Sequence, residues 1–577
     1  MSVKVRISIL TIIILVTAGG ILYRLFNLTF SQHAEYVKSA KMQYNDPNSQ
    51  ISERGNIYFT DQENDRHIAA TNRSLWYVYS NNKIIESADV AASSMSSVLG
   101  IEKEKIVEMF SDRKKQYVVI AEDISESKAK EISVLKITGV SVGKGVDRFY
   151  PNDSMAAQSL GFVGFDGYDR VGQYGVEAFY DTILSGQERT LDWLGNRTYS
   201  RISELVKSFI DKSKEEKSIS AITDDSHGGD SLVLTINKDI QILAESKLEA
   251  LLKKWSSPSG LIIVQEPKSG SILAMAGSPS FDPNRYDEYN LGRFINPTIQ
   301  ELFEPGSSFK PITMAGALDK GKVAPDTTYN DIGQITEAGF TIKNFDEKAH
   351  GTQTMSQVLE KSLNTGSIFA QRKLGNDDFL NYVVAFGFGQ QTGVDMPGEI
   401  KGNISNLYSG RDINFMTASF GQGIAVTPLQ LVNAYSAIAN GGKLMQPYIL
   451  KEMIKPDGSS IKTEPKVLGQ PIAEKTSLQI KSMLTKVVDN GFDKARIPGY
   501  DVAGKTGTAQ ISENGEYGED FIHSFVGFAP SYNPRFVILI KMDKPKDEKF
   551  ASNTLTPTFA EMVKFLINYY QIPPTRK

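Results

Sequence analysis

Three short runs in the second half of the chain carry residues able to work on an acyl group: Ser307-Ser308-Phe309-Lys310, Ser362-Leu363-Asn364 and Lys505-Thr506-Gly507-Thr508. In the first, Pro305-Gly306 reads as a turn and Ser307 as the cap of a following helix. That helix would carry Phe309, Ile312, Ala315 and Leu318 and stop at Gly321. Pro311 does not spoil it, because first-turn amides have no intrahelical acceptor to lose. Ser307 and Lys310, three residues apart, would share a face. A serine nucleophile with a lysine base is the chemistry this suggests. To act as a base near pH 7, Lys310 must hold its pKa far below the ~10.4 of a free lysine. Burial beside a second cation does this, and Lys505 is the candidate.

Each pattern alone has a bland reading. Ser-x-x-Lys recurs at Ser125–Lys128, Ser127–Lys130, Ser133–Lys136 and Ser459–Lys462, in stretches that read as solvated surface. Ser-x-Asn recurs at Ser80, Ser512 and Ser531, whereas Lys-Thr-Gly occurs once. An isolated Ser362 would be a helix-capping serine, Asn364 a turn former and Lys505 a solvated strand-edge lysine. What raises the three runs above background is their joint occurrence and order.

The elements that must position them follow from the chain's texture. At 577 residues it is too long for one core, and two or three domains are expected. A net charge of −4 implies no nucleic-acid partner. With no cysteine, disulfides and thiolate chemistry are excluded. The five histidines are dispersed and suggest neither a metal site nor a Ser-His-Asp triad; no cofactor is expected. Ile7 to Tyr23 is an uncharged, mostly apolar run between Lys4/Arg6 and Arg24. At ~1.5 Å per residue it is just long enough to span a membrane, and the flanking charges place the N-terminus in the cytoplasm. Thr17-Ala18-Gly19 offers the competing reading of a cleaved signal. The expected division is 1–26 anchor, 27–229 non-catalytic domain with 212–229 as linker, and 230–577 catalytic domain. In the last, a strand at Ser231–Ile236 and a helix at Ile240–Trp255 lead into a hairpin around Pro267–Gly270. A second hairpin crosses Asn533-Pro534, and a closing helix starts at Thr556. Strands at both ends around a helical middle argue for a mixed α/β (α+β) unit.

The flanks make the ordered runs far more specific. Phe303 to Pro311, Ala418-Ser419-Phe420-Gly421-Gln422-Gly423 with Thr427-Pro428, and Ala503 to Gln510 resemble the class B penicillin-binding proteins, which share the Ser-x-x-Lys and Lys-Thr-Gly motifs of penicillin-interacting serine enzymes. Arg54-Gly55-Asn56-Ile57, Arg148-Phe149-Tyr150-Pro151, Gly175-Val176-Glu177 with Tyr180, and Leu234-Thr235-Ile236-Asn237 extend the resemblance over nearly the whole chain. It departs after Ile57, where Tyr58-Phe59-Thr60-Asp61 replaces the family's usual Asp-Arg-Asn-Gly.

The resemblance implies a membrane-anchored D,D-transpeptidase. Its catalytic domain would have an antiparallel sheet enclosed by helices, preceded by an elongated α+β domain of pedestal or dimerisation type. Its substrates would be peptidoglycan stem peptides ending in D-Ala-D-Ala, with β-lactams as covalent inhibitors. A SEDS-type glycosyltransferase would be the partner, and the role would lie in division or cell-shape wall synthesis. Ser307 would form the acyl-enzyme, Lys310 would be its base and Ser362 a proton relay. Asn364 would bind the substrate amide, while Lys505, Thr506 and Thr508 would hold its terminal carboxylate. Gly507 would let the substrate backbone approach the strand edge, and the N–H groups of Ser307 and Thr508 would form the oxyanion hole. A β-lactamase would need a deacylating glutamate, for which Glu399 is the candidate. The same motifs also admit a hydrolytic carboxypeptidase, and a non-enzymatic scaffold would need the site to be inactive.

Overall fold

The computed structural model describes residues 54–576 except 114–117, 167–168, 187–227, 338 and 514–515, with a few more between 15 and 24. Most of the expected anchor and of the expected linker therefore lies outside the described residues. Among these, no helix is long and apolar enough to cross a membrane.

The described chain opens with β1 (Ile57–Thr60) and β2 (Arg66–Ser80), an antiparallel pair. Two compact units divide at β2: residues 52–72 and 148–577 belong to the larger, 73–147 to the smaller. In the smaller unit, helices α1 (Ala88–Leu99), α2 (Lys103–Met109) and α3 (Glu126–Val134) accompany strands β3 (Val118–Ile124) and β4 (Val140–Phe149). Both strands pair with β2. Met95, Ile106, Phe110, Ile120 and Ile132 form its core.

The larger unit takes in chain from both sides of the expected 229/230 boundary. β5 (Ser231–Asn237) pairs in parallel with β1, and Asn237 caps α4 (Lys238–Lys254) by accepting from the Asp239 and Ile240 amides. A buried ion cluster ties segments 54–72 and 148–186 to each other, while the β1–β5 pairing and a Tyr180–Asp395 hydrogen bond tie them to the catalytic part. Arg54 bonds Glu177 and Asp181 at 2.6 Å each, and Arg148 Nε bonds the other Glu177 oxygen at 2.7 Å. The Tyr150 hydroxyl donates to the same oxygen. Tyr180 donates to Asp395, whose carboxylate also accepts from the Ile449 and Leu450 amides.

A five-stranded antiparallel sheet organises the rest. Strands β6 (Ser259–Gln265) and β7 (Ile272–Ser278) form the first expected hairpin. The Ser307-bearing turn leads into α5 (Lys310–Asp319), followed by α6 (Met355–Glu360), α7 (Asn364–Leu374) and α8 (Pro428–Ala439). Next come β8 (Leu450–Ile454), which pairs with β5, and α9 (Glu474–Gly491). β9 (Ala503–Glu513), β10 (Glu516–Ala529) and β11 (Phe536–Asp543) complete the sheet in the order β9-β10-β11-β6-β7, and α10 (Thr556–Tyr569) closes the fold. The sheet separates two cores. On β11, Val537 and Leu539 face the core shared with α5–α8, while Ile538, Ile540 and Met542 face the one shared with α4 and α10. Period-2 alternation between two apolar faces explains why β11 reads as a continuous apolar run. β9, which carries Lys505–Thr508, lies at the sheet's edge.

Candidate active site

Ser307 does not cap a helix. It lies inside a 3₁₀ turn, Gly306–Phe309, that runs directly into α5, and Ser308 rather than Ser307 turns its hydroxyl back to the Pro305 carbonyl at 2.6 Å. The lead-in is clamped by the Ala418–Gly423 stretch. Phe303 and Val426 exchange backbone hydrogen bonds, Gly306 N–H donates to the Gly421 carbonyl, and Glu304 accepts from the Gly423 amide. Gly421 has φ +81°, and a Cβ there would meet the Gly306 oxygen at 2.2 Å, so only glycine fits. The Ser419 carbonyl accepts hydroxyl bonds from Thr313 on α5 and Ser367 on α7 at 2.7 and 2.6 Å, tying the two helices together. Buried Tyr435 on α8 holds the Ser308 carbonyl.

Behind the half-buried Ser307 the other groups converge. Lys310 is fully buried; its Nζ donates to the Ser362 carbonyl at 2.5 Å and to Ser362 Oγ at 3.2 Å. Lys505 is equally buried and reaches the same Ser362 Oγ from β9 at 3.0 Å, and the Thr506 carbonyl at 3.2 Å. The Phe492 ring lies 6.0 Å from its Nζ. Ser362 sits between α6 and α7 with φ +57°, a left-handed conformation that costs about 1–2 kcal/mol for a residue with a Cβ. The conformation points its hydroxyl at both lysines. Neither lysine is hydrogen-bonded to the Ser307 hydroxyl among the described residues. In place of the expected direct Ser307–Lys310 contact, Lys310 bonds Ser362.

The electrostatics suit a base. Burial pushes the Lys310 pKa well below its ordinary 10.5, and the adjacent Lys505 charge pushes it further. Burial alone brings Lys505 down to about 7. Two ammonium groups this close in a dry site are not both retained cheaply.

The remaining residues fall around this centre. Asn364 opens α7, and one of its amide N–H groups is engaged by the Lys343 carbonyl at 2.8 Å, leaving Oδ1 and the second N–H for a substrate. Gly507 differs from expectation. A Cβ there would meet Ser524 Oγ at 2.3 Å and the Pro305 oxygen at 2.6 Å. The glycine therefore admits the protein's own serine-bearing turn against β9. Thr506 and Thr508 alternate with Lys505 and Gly507, and Thr508 Oγ accepts from the Ala551 amide at 3.3 Å. Glu399 spends its carboxylate on its own loop, accepting from the Thr392 amide and hydroxyl and the Gly393 amide.

Sequence reasoning missed the support behind Asn364. Buried Asp331 accepts from Asn344, the Gly333 and His350 amides and the Thr365 hydroxyl, fixing the start of α7. The Asp331-Ile332-Gly333 turn was its only local signal.

A serine-bearing turn with one buried lysine from a helix and a second from an antiparallel sheet edge is the site of a serine acyltransferase of the penicillin-interacting type. The family model of the penicillin-binding protein transpeptidase domain matches residues 260–564, and that of the penicillin-binding protein dimerisation domain matches 49–193. The chain is 33% identical over 504 residues to stage V sporulation protein D of Bacillus subtilis, covering 86% of this chain and 75% of that one. It is 31% identical over 465 residues to the probable peptidoglycan D,D-transpeptidase PbpC of Pseudomonas aeruginosa, covering 80% and 77%. Among solved structures, a peptidoglycan synthetase from Bifidobacterium adolescentis superposes with a TM-score of 0.67 at 25% identity, covering 91% and 97%. Penicillin-binding protein 3 of Mycobacterium tuberculosis, complexed with aztreonam, shares the fold with a TM-score of 0.68 at 24% identity, covering 91% and 98%. The chain belongs to the class B penicillin-binding proteins. It is a serine-type peptidoglycan D,D-transpeptidase.

Proposed function

We propose that Ser307 attacks the penultimate carbonyl of a D-Ala-D-Ala stem peptide, with Lys310 taking the hydroxyl proton. The observation that carries this reading is the meeting of two buried, pKa-depressed lysines on Ser362 Oγ, one of them three residues along the chain from Ser307. The C–N bond to the terminal D-alanine breaks, and Ser362 passes a proton to the departing amine. An amine from a neighbouring stem peptide then displaces Ser307 and forms the cross-link. The N–H groups of Ser307 and Thr508 stabilise the oxyanion. Lys505 and the Thr506 and Thr508 hydroxyls hold the terminal carboxylate, and Asn364 orients the substrate amide. A β-lactam acylates the same serine. The engagement of Glu399 in its own loop argues against class A-type hydrolysis.

Residues 27–229 are assigned as a partner-binding, non-catalytic domain and 230–577 as the transpeptidase domain, with 1–26 anchoring the chain in the cell membrane. The catalytic part then works outside the cytoplasm beside a SEDS-type glycosyltransferase, in division or cell-shape wall synthesis.

Intact-mass spectrometry of the chain incubated with benzylpenicillin tests the site. A stable adduct mapping to Ser307, absent from Ser307→Ala, is the expected result. Consumption of the antibiotic without an adduct would instead identify a hydrolase.

A further inference from the structure

His523 lies on β10 directly opposite Thr508 on β9, so the two side chains share one face of the sheet. The imidazole is completely buried. Its Nε2 is 3.1 Å from the Lys549 carbonyl, which can only accept, so the proton sits on Nε2. Nδ1 is then an acceptor, and the Thr554 hydroxyl donates to it at 2.9 Å. The ring thus grips both ends of the segment 549–554. In the middle of that segment, the Ala551 amide donates to Thr508 Oγ. A hydroxyl whose oxygen already accepts from a backbone amide must aim its own proton elsewhere. That leaves the Thr508 O–H free to point to an incoming anion.

We propose that His523 is a positioning residue: by pinning Lys549–Thr554 it sets the Thr508 hydroxyl to donate to the terminal carboxylate of the acyl donor. The inference rests on the carboxylate-binding role assigned to Thr508 above. His523 touches no substrate and moves no proton in the reaction. Burial also brings its pKa down to about 4, so the neutral tautomer that both hydrogen bonds require persists at neutral pH.

The other half of the strap faces outward. Exposed Phe550 meets the exposed Phe345 ring edge-on at 5.4 Å, and Lys549 lies over the Phe345 and Phe521 rings at 5.2 and 5.7 Å. Phe345 follows shortly after Lys343, whose carbonyl binds Asn364. Loosening the strap therefore changes a position held from both walls of the site.

The test compares acylation by benzylpenicillin with acylation by its methyl ester, which lacks the carboxylate, in the full chain. In the unmodified protein the acid reacts faster. His523→Ala is expected to slow the acid about tenfold, the worth of roughly one hydrogen bond to a charged group, and the ester less than about twofold. Thr554→Val, which keeps the imidazole and removes the hydroxyl that faces Nδ1 and the Ala551 carbonyl, is expected to act in the same direction. His523→Gln, which retains a donor for Lys549, should recover part of the loss. Equal slowing of acid and ester in both variants, or no slowing in either, overturns the positioning role. If the unmodified protein is acylated but treats acid and ester alike, it is the Thr508 assignment that fails. If Ser307 takes up no acyl group at all, the site reading itself fails.

Discussion

The larger unit buries two pairs of cations and treats them in opposite ways. Around Glu177, two arginines are matched by two carboxylates. Burial opposes their charge, but the Glu177 and Asp181 carboxylates outweigh it and raise the Arg54 pKa above its ordinary value. Burial likewise pushes Glu177 up, and Arg148 and Arg54 more than reverse it. Around Ser362, two lysines share a hydroxyl, and among the described residues no carboxylate is a hydrogen-bond partner of either. An arginine cannot shed its proton, so its burial demands counter-charges and produces a fixed joint. A lysine can shed one, so the same burial produces a base. Residue type and counter-charge together decide whether a buried cation becomes structure or reactivity: Lys541, also buried, is paired with Asp543 at 2.6 Å.

The sharpest way to break this comparison is to put an unsheddable charge in the reactive cluster. Lys310→Arg is expected to lower acylation by benzylpenicillin by about 10³-fold or more, the upper range for losing a general base. Stopped-flow or mass-resolved acylation kinetics read this out, and near-normal rates would refute the base role. The converse change strikes the structural cluster. Glu177→Gln leaves two buried arginines with Asp181 alone and is expected to cost about 3–5 kcal/mol of stability. Thermal or denaturant unfolding measures it. Acylation per folded molecule should stay close to normal, since the cluster does not touch the site.

The smallest effect sharpens the contrast through pH. Lys505 has its pKa lowered from 10.5 to about 7 by folding. Between those values the unfolded chain binds more protons than the folded one, so stability rises with pH across that window and its cost is complete below about 7. Lys505→Met is therefore expected to be inactive yet more stable at pH 7, by about 1–4 kcal/mol. That advantage should shrink as pH approaches 10.5, and unfolding curves at pH 7 and 10 would detect a constant gap. Glu177 has a dependence of the same sign in a more acidic window. Its lowered pKa makes its contribution fade as pH falls below about 4.5, the ordinary glutamate value.

Much of the fold was legible because its signals are local. The β5–α4 start, both hairpins around Gly270 and Asn533-Pro534, and the Thr556 helix follow from period, turn residues and caps. Between Ser87 and Phe110 the chain forms two helices separated near Gly100. The compact division escaped sequence reading altogether. Residues 148–186 join the catalytic part through contacts such as Tyr180–Asp395, whose partners lie 215 residues apart.

The sequence by itself determined which residue types carry the chemistry: a serine, two lysines, a Ser-x-Asn and a Lys-Thr-Gly, in an order and with flanks that define the family. Spacing of three residues also placed Ser307 near Lys310 along the chain. Only the tertiary structure decided that Lys310 turns to Ser362, 52 residues on, and that Lys505 joins it from 143 residues further. It alone made Gly507 a seat for the Pro305 turn and put His523 behind Thr508. The reason is physical. Local pattern fixes backbone preference and side-chain type, whereas burial, and with it the loss of a lysine's proton, depends on which distant strands and helices exclude water from the same point.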